Sequence, residues 1–475
     1  MTAILTDPDH PPQPGPVAKE LLHLTWPVAL SMLSYSLMTL VDTLFVGRFG
    51  AFAIAAVGLG GLCSFTLLTF AMGLLRGGKV IAAQFIGARR FNEIHELAAA
   101  SLVVALVCSV GTWLVTISVT PLLGHVFHEA KANQELSHYI IARAFGIPLF
   151  LLATALREMS QGIGDSRSPM WAALAANMLN IPLNAFFVLG LGYGVTGSAW
   201  ANVLAQLIDL VLLAWLRKDW LLALTTLRRS RIRHVFSTGF PLGIEMFLDC
   251  SAFTLLGHIL ARLGAVEMAA HQIALQISHL SILPVLALSE SVSVLSGNAK
   301  GAQLPKHIPR IVRVGLGLGM IYTIGLSLLL LLAPTPLVHL FTTDAIVVHL
   351  TSVLLIVVAG FQLAFVFYAV CRAALRGTGD LKYTASVTVA TAWLCTPPLG
   401  YVFAHHLGFG VVGGWCALAV EITSASALYI LRLERLRFRE NFIPNPRVPE
   451  YSLPLASHAF DSDEISTLSP EGSLR

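Results

Sequence analysis

The chain has 475 residues, of which 56% are hydrophobic and only 12% charged, with a formal net charge of +4 and a mean hydropathy of +0.75. The charged share is about half that of an ordinary soluble domain, and the apolar residues fall in blocks of ~20 or more, the length that crosses ~30 Å of hydrocarbon as a helix. A soluble protein with an unusually apolar core is thereby set aside, as is a β-barrel, whose spans would be shorter and would alternate apolar with polar residues.

The first 20 residues, MTAILTDPDHPPQPGPVAKE, are polar and proline-rich and lack the parts of a cleaved signal peptide. They read as a tail. Twelve apolar spans follow, at about 24–47, 54–80, 97–123, 138–160, 168–190, 195–216, 235–262, 267–296, 311–341, 347–375, 384–404 and 410–432. Bases crowd the even-numbered connections: Arg89 and Arg90, then Arg167, then Arg217, Lys218, Arg228, Arg229, Arg231 and Arg233, then Lys300, Lys306, Arg310 and Arg313, then Lys382. The odd connections hold Arg48, Lys131 and Arg262. The positive-inside rule puts the even connections and both termini in the cytoplasm. The basic stretch 217–233 joins two spans, so it reads as lying along anionic headgroups rather than on nucleic acid. The six cysteines lie in apolar segments without a CxxC pair, which points away from a disulfide framework or a zinc site. From about 436 the chain is rich in Pro, Ser, Asp and Glu and reads as a disordered tail.

The two halves of the chain repeat. "RFGAFAIAAVG" from Arg48 matches "RLGAVEMAAHQ" from Arg262, and Pro27 matches Pro241, both at an offset of 214. "QFIGA" from Gln84 matches "NAKGA" from Asn298, "GIGD" at 162–165 matches "GTGD" at 377–380, and "GYGVTG" at 192–197 matches "GFGVVG" at 408–413. Each half holds six spans, an even number, so the repeats enter the membrane with the same polarity. The expected fold is an all-α integral membrane protein of twelve transmembrane helices in two pseudo-two-fold-related six-helix bundles. The expected organisation is a cytoplasmic tail 1–20, a bundle 21–216, a basic linker 217–234, a bundle 235–435 and a cytoplasmic tail 436–475.

An ordered set of segments carries a family resemblance: PVALSMLSYSLMTLVDTLFVGRFGAFAIAAVG, AAQFIGARR, QGIGDSRSP, NMLNIPLNAFFVLGLGYGVTGSAWA, AAHQIALQI and RGTGDLKYT. Over residues 20–435 the chain resembles the multidrug and toxic compound extrusion (MATE) family, its first half most of all the proton-coupled prokaryotic branch. The resemblance implies secondary active efflux of amphipathic, often cationic compounds by a monomer of the bacterial plasma membrane, driven by inward flow of H+ or Na+. It implies that Asp42 is the acidic, proton-binding residue of span 1 and that Asn180 is the asparagine of span 5. Relatives often carry a second carboxylate where this chain has Asn184, and the Na+-coupled ones an acid in span 7, here Asp249, and an Asp in span 10, here Phe365.

The residues themselves support a similar reading. A carboxylate in mid-membrane costs about 2.5–3.5 kcal/mol on insertion scales, and protonation removes most of that cost, so Asp42 is a candidate proton carrier. Asn180 and Asn184, one turn apart on span 5, with Asn202 of span 6 and Tyr139 of span 4, are candidates to hydrogen-bond it. Pro182 between the two asparagines is expected to bend span 5. Arg76 and Lys79 in the second half of span 2 and Arg157 in the second half of span 4 could each snorkel to the cytoplasmic face, or one of them could pair with Asp42; with Glu290 and Arg372 they form a possible charge network. Glu245 and Asp249 share a face of span 7, where they could attract a cation or pair with Arg372. Met32, Tyr35, Phe65, Met246 and Phe253 are candidate walls of a substrate cavity. One carboxylate among amides makes a poor Na+ site, which favours H+. Two alternatives stay open: Na+ coupling in the same fold, and a flippase for lipid-linked precursors that would use the bases. Without HExxH, GxSxG, DDxxD or Walker A sequences, neither enzyme chemistry nor ATP as a fuel is expected.

Overall fold

The computed structural model describes residues 14–49, 51–123 and 130–442. Positions 1–13 and 443–475 of the two expected tails lie outside the described residues. The helices are α1 (Pro14–Val46), α2 (Ala51–Gly87), α3 (Asn92–Leu123), α4 (Ala130–Ala144), α5 (Gly146–Gly162), α6 (Arg167–Asn184), α7 (Gly194–Leu216), α8 (Lys218–Leu222), α9 (Arg229–Ala261), α10 (Ala265–Gly301), α11 (Ile308–Leu332), α12 (Pro334–His339), α13 (Ala345–Gly377), α14 (Leu381–Tyr401) and α15 (Gly410–Phe442). No strand occurs among the described residues. Eleven of these helices are long and apolar enough to cross a membrane, and the pair α4–α5 makes a twelfth span, bent by 42°. Pro148 explains the bend, because it has no N–H to give the carbonyl of Ala144, the last residue of α4. The stretch 217–234 is largely helical: it holds α8, a 3-10 turn over Ala223–Thr226 and the first turn of α9.

Pro182 does not break α6. Helical dihedrals continue at Ala185 (φ −57°, ψ −42°), and the winding widens to a π-helix over Ala185–Gly190. The second half does the same after Pro397 and Pro398, with a π-helix over Val402–His406.

The repeated motifs are repeated geometry. Gly164 and Gly379 both have φ +88°, and the pairs Gly192/Gly194 and Gly408/Gly410 have φ of +70°/+54° and +71°/+55°. Only glycine adopts such angles without strain. Each "GxGD" aspartate then ties its turn to the end of its bundle's last helix region, Asp165 to Arg217 and Asp380 to Arg432, the latter at 2.8 Å. Asp165 also accepts the backbone N–H groups of Arg167 and Ser168 at 3.1 and 3.0 Å, which satisfies the start of α6.

The halves meet along α2, which packs on α9 and α10, and along α1, which packs on α10. Glycine permits the approach. A Cβ on Gly87 would stand 2.0 Å from the Asn298 carbonyl oxygen, and one on Gly301 would stand 1.9 Å from that of Gln84. These contacts are reciprocal under the repeat, so α2 and α10 cross on the pseudo-two-fold axis at the end that carries the even connections. Thr25 of α1 donates to Ser291 at 3.0 Å, and the Gln84 amide donates to the Gly377 carbonyl at 3.0 Å across the same seam.

Candidate functional site

Asp42 lies on α1 and is 7% exposed. Its two oxygens accept from two amides: Asn184 Nδ2 reaches Oδ1 at 2.7 Å and Asn202 Nδ2 reaches Oδ2 at 2.8 Å. Asn184 Nδ2 also donates to Asn180 Oδ1 at 2.8 Å. Helical spacing builds this arrangement. Asn177, Asn180 and Asn184 fall at i, i+3 and i+7 on α6, one stripe that faces α1. Asn177 at its upper end donates to Ser34 at 2.6 Å. Tyr139 is buried nearby, in the cluster of Val46, Leu136 and Ile140, but it is not a hydrogen-bond partner of Asp42 among the described residues. Arg143, one turn further along α4, is the basic group that acts on Asp42 through space. The amide oxygens of Asn184 and Asn202 and the Asn180 Nδ2 are buried without a partner.

The expected charge network resolves into three separate clusters, and none of its bases pairs with Asp42. In the first, Arg157 of α5 donates to both Asp209 of α7 and the Tyr35 hydroxyl, and Tyr35 donates to Asp209 at 3.2 Å. The guanidinium lies 5.2 Å from the Tyr35 ring centroid. Tyr35 is therefore tied into an ion pair rather than free on a cavity wall. Tyr35 and Asp42 are seven residues apart, as are Asn202 and Asp209, so the α1–α7 seam holds two buried carboxylates two turns apart, about 10 Å.

The second cluster joins the halves. Lys79 of α2, 4% exposed in its side chain, sits 2.5 Å from Glu158 of α5 and 2.6 Å from Glu290 of α10, with Arg76 at 3.7 Å from Glu290. The third lies in the second half. Glu245, 1% exposed, binds Arg376 at 2.8 Å, has Arg372 at 3.6 Å and accepts from Thr388 at 2.5 Å. It is sealed within the bundle and does not face an open cavity. Arg372 lies 4.2 Å from the Tyr368 ring centroid. It is also the repeat partner of Arg157, at an offset of 215, so each half carries a half-buried arginine stacked on a tyrosine. Asp249 is half-buried and within electrostatic reach of Arg372 and of Glu421 on α15. Met32 and Met246 are half-buried, Phe65 is exposed, and Phe253 packs against the second half's core. Phe365 is buried in an aromatic stack with Phe361 and Tyr368.

Sequence reasoning passed over Asp209, Glu158, Glu421 and Asn177. The rule applied to Asp42, that an ionisable side chain inside an apolar span marks a site, would have found the three acids. Nothing along the chain signals which base each acid meets.

A family model described as MatE matches residues 27–186 and 241–402, one match in each half. A probable multidrug resistance protein NorM of Thermotoga maritima is 26% identical over 429 residues, covering 87% of this chain and 92% of that protein. A multidrug resistance protein NorM of Vibrio vulnificus is 27% identical over 444 residues, covering 89% and 96%. Among solved structures, an outward-facing multidrug resistance MATE transporter of the MOP superfamily superposes with a TM-score of 0.80 at 22% identity, covering 89% of this chain and 96% of that one.

Proposed function

Because this chain belongs to the MATE family of membrane transporters, we propose that it is a multidrug efflux antiporter that exports amphipathic, cationic small molecules in exchange for protons. The observation that carries the proton reading is the Asp42 site. A single carboxylate there is met by two amide N–H groups at 2.7 and 2.8 Å. Donors aimed at the carboxylate suit its ionised form, whereas Na+ would need several oxygen ligands converging on one point.

Protonation changes what this site requires. A neutral carboxyl has one O–H to donate and one oxygen fewer that accepts well. One N–H···O contact must then give way, while the partnerless amide oxygens of Asn184 and Asn202 become suitable acceptors. The two charge states thus favour different fits of α1 against α6 and α7. A helix pair with two discrete fits is the kind of element whose equilibrium a proton can bias. On the side of the even connections, Lys79 bridges Glu158 and Glu290 and holds the two halves together. Opening on that side requires this bridge to break. By the positive-inside rule that side is the cytoplasm and both termini lie there, which supports a plasma-membrane protein facing outward in this state. The bases that a flippase would present to a pyrophosphate are instead paired: Arg76, Lys79, Arg157 and Arg372 each meet a carboxylate.

The test is efflux of a fluorescent cationic dye from proteoliposomes under imposed gradients. Wild type should move dye uphill under an inward proton gradient and not under a Na+ gradient alone. Asp42→Asn should reduce this to passive leak while the protein elutes and melts as wild type. Uphill efflux by the variant, or efflux driven by Na+ alone, overturns the proposal.

A further inference from the structure

A groove of about 280 Å³ lies between α3 and the start of α9, away from the sites above, and is lined by Val104, Val107, Cys108, Arg229, Ile232, Arg233 and Phe236. The linings are helical stripes. Residues 229, 232, 233 and 236 fall at i, i+3, i+4 and i+7 on α9, and 104, 107 and 108 at i, i+3 and i+4 on α3. One end of the groove is cationic and its walls are apolar. Val107 is 66% exposed and Phe236 44% exposed, so the walls open outward to the surrounding medium.

The charges beside it divide into two kinds. Arg231 binds Glu93 and lies 3.4 Å from Glu96, and Arg228 lies 3.7 Å from Glu96. These pairs pin the start of α9 to the start of α3. Arg229 and Arg233, the two that line the groove, form no ion pair among the described residues. Two unneutralised guanidiniums over an apolar trough at a helix end match one chemistry, a phosphodiester attached to hydrocarbon. We propose that this groove binds an anionic phospholipid of the adjoining leaflet, with its phosphate on Arg229 and Arg233 and an acyl chain along Val104, Val107, Ile232 and Phe236. Guanidinium donors match phosphate oxygens in pairs, and basic pockets between spans on the cytoplasmic side recognise acidic headgroups. The volume lies just below the ~300–1,000 Å³ of cavities that enclose a whole ligand, as suits a lipid whose chain ends stay in the bilayer.

The test is lipid binding by the purified full chain in detergent, followed by native mass spectrometry with phosphatidylglycerol and with phosphatidylcholine. It does not depend on transport, so it can fail independently of the antiporter reading. Wild type should retain phosphatidylglycerol in preference to phosphatidylcholine. Arg229→Gln with Arg233→Gln should weaken that binding by roughly tenfold or more, and Val107→Trp should weaken it with every charge in place. Lys218→Gln, which removes an exposed base of the same connection outside the groove, should leave it unchanged. Equal retention of the two lipids by wild type, or undiminished phosphatidylglycerol binding in the double variant, overturns the proposal. So does an equal loss in Lys218→Gln, which would mean diffuse surface attraction.

Discussion

Each buried charge in this protein has its own solution to the cost of burial. Asp42 is held by neutral amides, so its charge can come and go without orphaning a partner charge. Asp209 is held by Arg157, which remains a cation at every relevant pH. The two carboxylates share one seam, yet Asp42, unlike Asp209, makes no direct ion pair among the described residues; its nearest base, Arg143, acts only through space. Removing one member of a buried pair leaves the other unpaired, at about 3–5 kcal/mol. Asp209→Asn should therefore lower the melting temperature of the detergent-solubilised protein far more than Asp42→Asn does. Adding Arg157→Met and exchanging Asp209 for Leu should restore most of the loss, since well-packed apolar replacements of a buried pair are often neutral. Asp42 stood out in the sequence as a lone acid in an apolar span. That it makes no direct ion pair did not, because that depends on Arg76, Lys79 and Arg157 finding partners on other helices.

At the scale of the helix, small residues set how closely the bundles meet. Membrane helices gain no hydrophobic drive from leaving lipid, so close backbone approach and dispersion contacts must hold them together. Gly301 is a clear instance, because a Cβ there would lie 1.9 Å from a backbone oxygen that no rotamer change can move. Gly301→Ala should force α2 and α10 apart at a cost of about 1–3 kcal/mol, read as a lower melting temperature. Gly317→Ala on α11 meets nothing within 4 Å and should be tolerated or slightly stabilising. Span positions were legible from apolar run lengths. The break between α4 and α5 was not predicted, although Pro148 signals it, and neither was the change of winding to a π-helix that follows Pro182.

At the scale of the molecule, the halves are two copies of one design that differ in what they bury. The shared parts are the turn glycines, the Asp165–Arg217 and Asp380–Arg432 ties and the stacked Arg157 and Arg372. The unshared parts include Asp42, whose repeat partner is the buried Leu256. The bridge from Lys79 to Glu158 and Glu290 spans the halves, and breaking it should favour opening on that side. In Lys79→Met, Glu158 and Glu290 would lose their closest cation and keep only Arg76, at 3.9 and 3.7 Å, to balance them. Spin labels at Phe91 and Lys306, after removal of native cysteines, should then report a longer average distance than in the otherwise identical parent. An unchanged distance distribution would show that glycine packing alone holds that side shut.

The sequence by itself determined the spans, the repeat, the basic connections and the candidacy of Asp42, Asn180, Asn184 and Asn202. The spans, repeat and connections follow from run length, fixed offset and charge position, which are local or periodic along the chain, and the site candidates from polar residues inside apolar spans together with the family resemblance. Tertiary structure alone decided which acid meets which base, that Glu245 is sealed by Arg376 and Thr388, and that Tyr35 serves an ion pair. It also decided that Arg229 and Arg233 form no ion pair among the described residues while Arg228 and Arg231 do. Ion pairing depends on which helices lie side by side and how they are rotated. A carboxylate 211 residues from its lysine, as Glu290 is from Lys79, carries no trace of that meeting in the chain.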